Sequence, residues 1–111
     1  MTPEEIARAY FARMCAGERV DDMFTDDAEL RGFGNRVVGK AAIAEMYAGV
    51  QDTATPQPEI VEITTAGNRA FGEVEVALAD GTSLHVVDVF EIENDRIKSL
   101  TYFNADYPPA S

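Results

Sequence analysis

Three short turn signals divide the second half of this chain, and no helical pattern lies between them. Ala66-Gly67-Asn68-Arg69, Asp80-Gly81 and Asn94-Asp95 each reverse the backbone within a few residues. They separate four strand-like segments: Glu59 to Thr65, Ala70 to Ala79, Ser83 to Glu93 and Ile97 to Asn104. In the first, Ile60 and Glu62 oppose Val61 and Ile63; in the second, Glu73 and Glu75 oppose Val74 and Val76. Parallel neighbours need long crossovers, usually helical, so strands joined by turns this short run antiparallel.

The first half reads differently. Residues 2–16 form a helix: Thr2 is a good N-cap, Pro3 fits the first helical position, and Glu5 completes a capping box. Ile6, Tyr10 and Met14 recur at helical spacing, with Ala7 and Phe11 widening the stripe, and Gly17 ends it. A short helical turn then lets Val20, Met23 and Phe24 seal one end of a core. Asp26-Asp27 reads as a turn, Ala28 to Phe33 as a strand interrupted by Gly32 and Gly34, and Arg36-Val37-Val38 as a local pairing partner. A second helix over residues 40–50 follows Gly39 and carries Ile43, Met46, Tyr47 and Val50, and Pro56 and Pro58 close the segment. Helices first and a hairpin run after them define an α+β fold: a curved antiparallel sheet wrapped over the N-terminal helices, enclosing a pocket.

With 111 residues, 46% of them apolar, the whole chain (1–111) suits one domain with one core, and residues 105–111, with Pro108-Pro109, read as a flexible tail. Nine basic against twenty acidic side chains give a net charge of −11, which repels phosphate backbones and anionic lipid. Neither nucleic acid nor a membrane is expected as a partner, and no segment is apolar for long enough to span a bilayer. A single cysteine excludes an internal disulfide, and the N-terminus lacks the pattern of a signal peptide; both agree with a cytoplasmic location. Cys15 reads as a small buried residue with no basic neighbour in sequence to activate it. No phosphate loop, dinucleotide signature, nucleophile elbow or spaced metal-ligand set is present, so neither cofactor nor metal is expected.

Asp88 is the residue that breaks pattern. Strand alternation puts it on one face with Leu84, Val86, Phe90 and Ile92. An acid on an apolar face is costly unless paired or neutral, so burial should raise its pKa. Two roles are open to it: a polar group in a pocket, or a core residue hydrogen-bonded to Tyr10 or another hydroxyl. Tyr10 has the same two readings. Tyr102 shares an inward face with Leu100 and Asn104; Asn104 is placed either to donate to a ligand or to cap the strand end. His85 falls on the opposite, outer face with Val87 and Val89, and Phe71 joins them from the neighbouring strand. Apolar residues on an outward face suggest a subunit contact, hence a homodimer.

Three stretches carry a family resemblance. They are Tyr10 followed by Ala16-Gly17-Glu18 and Phe24-Thr25-Asp26-Asp27-Ala28; Gly39-Lys40-Ala41-Ala42-Ile43 to Tyr47; and Val87-Asp88-Val89-Phe90-Glu91-Ile92 followed by Asp95-Arg96-Ile97. From Thr2 to Tyr107 the chain resembles the nuclear-transport-factor-two-like superfamily, which includes ketosteroid isomerases, SnoaL-like cyclases and limonene-epoxide hydrolases. Similarity to the isomerases implies that Tyr10 and a protonated Asp88 form an oxyanion hole, with Tyr47 beside them. The isomerase base falls on Gly32, which has no side chain. The hydrolase arginine falls on Val86, which disfavours that activity. The resemblance thus implies a cone-shaped α+β barrel around a pocket for a small, apolar carbonyl or phenolic compound. Tyr10 and Asp88 would be its catalytic pair, and Tyr47, Tyr102, Asn104, Phe90, Val86, Leu100 and Gly32 its ligand-binding set. A non-catalytic ligand-binding or dimeric structural module of the same fold is the alternative.

Overall fold

The computed structural model describes residues 1–105, so most of the tail expected over 105–111 lies outside the described residues. The elements follow in the order α1 (Pro3–Ala16), a single 3-10 turn (Asp21–Met23), β1 (Phe24–Gly32), β2 (Asn35–Val38), α2 (Lys40–Thr53), β3 (Gln57–Ala66), β4 (Arg69–Ala77), β5 (Ser83–Glu93) and β6 (Arg96–Asn104). The strands form one curved, open sheet in the order β2-β1-β6-β5-β4-β3.

Local chemistry sets the first helix. The Thr2 hydroxyl accepts from the Glu5 N–H at 3.2 Å, and the Glu5 carboxylate accepts from the Thr2 N–H at 2.9 Å. This reciprocal box satisfies two donors that the first turn leaves free. At the other end Gly17 takes a φ of 70°, a left-handed conformation in which a Cβ would be strained. The buried stripe is Ile6, Ala7, Tyr10, Phe11 and Met14. Cys15 lies just off it and is exposed, contrary to its reading as a buried residue; its thiol donates to the Pro58 carbonyl at 3.1 Å.

The strands β3 to β6 form the expected antiparallel run, while β1 joins it differently. It pairs with β2 as an antiparallel hairpin and with β6 in parallel, so the sheet is mixed. The β1–β6 register shifts between Phe24 and Glu29, and Asp26-Asp27 lie within that irregular stretch of β1 rather than in a turn. The helix α2 continues one turn further than expected, to Thr53. On β3 a bulge between Ile60 and Glu62 resets the alternation: Ile60 pairs with Val74 and Ile63 with Gly72, so both face inward, and Val61 is exposed.

The helices lie on one face of the sheet, α1 across β3, β4 and β5, and α2 against β1 and β2. The register arranges the covered face in transverse rows. One row contains Leu30, Leu100, Phe90 and Ala70, all buried. Above it run Tyr102, Asp88 and Gly72, with Ile63 beyond. Above those come Val86, Val74 and Ile60, and then Leu84, Val76 and Pro58. No helix among the described residues is long and apolar enough to cross a membrane.

Candidate functional site

Between the helices and the upper rows lies a cavity of about 630 Å³. Apolar side chains dominate its wall, among them Met14, Met46, Val50, Val76, Leu84 and Val86. Its polar floor is the Asp88 row. Tyr10 from α1, Tyr47 from α2, and Asp88 and Tyr102 from adjacent strands all line it, bringing the expected polar set together.

The three tyrosines form a hydrogen-bonded chain. The Tyr10 and Tyr47 hydroxyls lie 2.5 Å apart, and those of Tyr47 and Tyr102 lie 2.7 Å apart. Two such bonds use two of the three hydroxyl protons; when both bonds run in the same direction along the chain, the third is left at an end, on Tyr10 or Tyr102. Burial drives the Tyr10 and Tyr47 pKa values well above the usual phenol range, and also raises that of Tyr102. These hydroxyls are neutral donors at physiological pH.

Asp88 stands apart from the chain. It is 4% exposed, and its Oδ1 has no hydrogen-bond partner among the described residues. The reading in which Asp88 is tied to Tyr10 is therefore not what the geometry shows; the Tyr10 hydroxyl goes to Tyr47. Removal from water pushes the Asp88 carboxyl up to about 8, so it is mostly protonated at neutral pH. A buried polar atom without a partner is costly in an apolar interior. Asp88 is among the residues that line the cavity.

Two glycines, Gly72 next to Asp88 and Gly32 next to Tyr102, explain how the floor is shaped. A Cβ at Gly72, its partner on β4, would lie 2.9 Å from the Phe11 ring. A Cβ at Gly32 would lie 2.6 Å from the Tyr102 ring. Each glycine thus leaves room for an aromatic ring from another element. The position at which the resemblance places the isomerase base is covered by Tyr102.

Other expected ligand contacts fall elsewhere. Phe90 and Leu100 face inward as read, but they lie one row below the floor, fully buried, and do not line the cavity. There Phe90 packs edge-on against Tyr10 at 5.3 Å and Phe11 at 5.6 Å. Asn104 is exposed and also lies outside the lining. Val86 and Gly32 do line it. Sequence reasoning missed Arg31, Phe33, Asn35 and Arg36, which the β1–β2 hairpin brings to the edge of the cavity. Arg31 and Arg36 both pair with Glu29, and these guanidinium contacts hold its carboxyl below its usual range. On the outer sheet face, His85 lies 2.6 Å from Glu73, away from the floor as expected.

The pattern of the SnoaL-like domain matches residues 7–100. The chain belongs to the SnoaL-like domain family. None of the curated proteins matches its sequence. Among solved structures, this SnoaL-like chain is similar to a candidate polyketide cyclase from Sinorhizobium meliloti, at 24% identity over 89% of this chain and 94% of that one, with a TM-score of 0.83. It is also similar to an epoxide hydrolase of the LEH-like kind from M. tuberculosis, at 22% identity over 90% and 80% of the two chains, with a TM-score of 0.80. A third is a candidate ketosteroid isomerase from Kribbella flavida, at 20% identity over 96% and 82%, with a TM-score of 0.78. These likenesses establish the fold. Three chemistries are represented on it, so the activity of this SnoaL-like chain has to be argued from its own cavity.

Proposed function

We propose that this protein binds a small, largely apolar carbonyl or phenolic compound by one oxygen and acts on it by cofactor-independent acid–base chemistry of the isomerase or cyclase kind. The observation that carries the reading is the unpartnered Asp88 carboxyl in the floor of an apolar cavity, beside the hydrogen-bonded tyrosine chain. Protonated Asp88 and Tyr10 donate to the ligand oxygen, and their donation strengthens as negative charge develops on it. Donation from Tyr102 to Tyr47 and from Tyr47 to Tyr10 would leave the spare proton on Tyr10. In a low-dielectric chain each donor polarises the next.

Asp88 is the one carboxylate lining the cavity among the described residues, and no histidine lines it. With its carboxyl near 8, Asp88 is poised to give or take a proton close to neutral pH. The competing reading, a binding module without catalysis, draws on Tyr102 covering Gly32, since that arrangement provides no second carboxylate to accept a proton. The proposal includes a cytoplasmic location and a homodimer through the outer sheet face. There Val87, Val89 and Phe71 are half-buried, and Phe103, paired with Val87, is 54% exposed.

A fluorescent naphthol tests the reading, because its neutral and ionised forms emit differently. Wild type is expected to bind the naphthol and favour the ionised form, and Tyr10→Phe and Asp88→Asn to lose that preference. Equal binding of the naphthol and its methyl ether by all three proteins would overturn the oxygen-binding role.

A further inference from the structure

We propose that Tyr102 is a specificity-determining residue: together with Phe11 it makes the approach to Asp88 a narrow slot that admits an unhindered oxygen on a planar carbon and rejects one crowded by neighbouring substituents. The inference rests on the reading of Asp88 as an oxygen-binding group and adds to it a class of ligand.

The slot follows from the register. Asp88 on β5 is flanked by Gly72 on β4 and Tyr102 on β6. Phe11 occupies the space over Gly72, so an aromatic ring borders Asp88 on that side. On the other side Tyr102 leans across β6 onto Gly32, close enough that one added carbon there would meet its ring at 2.6 Å. The ring is held in that position at three points. The Gly32 backbone lies beneath it, Phe33 stacks on it at 6.0 Å with 16° between the planes, and Tyr47 binds its hydroxyl at 2.7 Å. Tyr10 and Tyr47 come from the helices opposite. A ligand oxygen approaching Asp88 thus has a ring on either flank, Phe11 over β4 and Tyr102 on β6. Substituents on both carbons adjacent to the C–O bond would run into Phe11 and Tyr102. A flat phenol or enol free at those positions would slide between them.

The two walls differ in a way that makes Tyr102 the determinant. Phe11 is buried among Tyr10 and Phe90 and belongs to the core. Tyr102 is half-buried and stands at the cavity wall against a glycine, so its ring can be removed with less damage to the core. Its ring and hydroxyl are also separable: the ring sets the width, and the hydroxyl feeds the tyrosine chain.

The test uses two phenols of similar acidity, 4-nitrophenol and 2,6-dimethyl-4-nitrophenol, together with their methyl ethers. Binding is measured by absorbance or calorimetry to wild type, Tyr102→Phe, Tyr102→Leu and Tyr102→Ala, each checked for folding by circular dichroism. Wild type is expected to prefer the unhindered phenol at least tenfold. Tyr102→Phe should keep the preference, Tyr102→Leu should reduce it, and Tyr102→Ala should bring it to within about twofold. A wild-type ratio near one overturns the proposal whether or not any variant folds. So does a ratio unchanged in folded Tyr102→Ala, or one that collapses equally in Tyr102→Phe. The ethers separate this outcome from failure of the oxygen-binding reading. If ether and phenol bind alike but the crowded member of each pair is still rejected, the slot stands and the oxyanion role falls. If none of the four probes binds, both fall.

Discussion

Tyr102 lies directly opposite Asp88 in the β5–β6 ladder, yet its hydroxyl is bound to Tyr47 and leaves the Asp88 Oδ1 atom without a partner. In most buried cross-strand pairs of an acid and a hydroxyl, the two groups would satisfy each other. Here Gly32 lets the ring lean the other way, and the carboxyl oxygen is left unpaired.

A neutral buried carboxyl has a definite effect on stability. The Asp88 pKa is raised on folding, so the folded state holds the proton more tightly than the unfolded chain. Its contribution is harmless at acid pH, grows unfavourable as pH rises from about 4 to about 8, and levels off above that. Asp88→Asn removes this dependence. Urea unfolding should show the variant more stable than wild type at pH 8, by on the order of a few kcal/mol, with the advantage shrinking towards pH 4. An identical pH slope in the two proteins would show that Asp88 ionises normally.

Tyr10→Phe keeps the ring that packs on Phe11 and Phe90 and removes only the donor. A hydrogen bond to a charged acceptor contributes about 1.5–3 kcal/mol, so affinity for an ionised naphthol should fall roughly tenfold to a hundredfold. Affinity for the methyl ether should hardly change. Fluorescence titration of the two ligands separates these effects.

The glycine beneath Tyr102 gives a test in stability alone. Gly32→Ala places a methyl group against the ring and forces a φ of 156° on a residue with a Cβ, so a loss of about 1–3 kcal/mol is expected. In the double variant Gly32→Ala/Tyr102→Ala the ring contact is gone, while the 2.8 Å contact with the Cβ of residue 102 and the backbone strain remain. Denaturant unfolding of the four proteins should give a coupling of about 0.5–3 kcal/mol in favour of the double variant.

Across the row, Gly72→Ala meets a wall that cannot give way, because Phe11 is wedged among buried rings. A loss of about 1–3 kcal/mol is expected, with partial recovery in Gly72→Ala/Phe11→Leu. Thermal melts monitored by circular dichroism check both.

For the outer face, light scattering after size exclusion at micromolar concentration should give the mass of a dimer. Val87→Glu, placing a charge at the centre of that face, should give a monomer. A monomeric wild type would remove the subunit contact from the account.

Much of this was legible in the chain because local chemistry decided it. The Thr2–Glu5 box and Gly17 fix the limits of α1, and Asp80-Gly81 and Asn94-Asp95 fix those of β5. Alternation along β5 correctly set Asp88 inward and His85 outward. What escaped depended on distant partners. Alternation gives a residue's face but not its depth along the strand, so Phe90 and Leu100 were read as ligand contacts although they lie beneath the floor. The β3 bulge inverts the alternation without a glycine to announce it. The parallel β1–β6 ladder joins segments about seventy residues apart, and no local pattern records such a pairing. The contact between Gly32 and Tyr102 arises from that same ladder, so the slot beside Asp88 could not be seen before the fold.

The most direct test of the central claim is a carboxyl carbon NMR titration of the aspartate side chains, in wild type and Asp88→Asn, with and without a bound naphthol. The account predicts one carboxyl that titrates near pH 8, is missing from the variant, and shifts when the ligand binds. An Asp88 signal that titrates with the ordinary carboxylates, or that ignores the ligand, would contradict it.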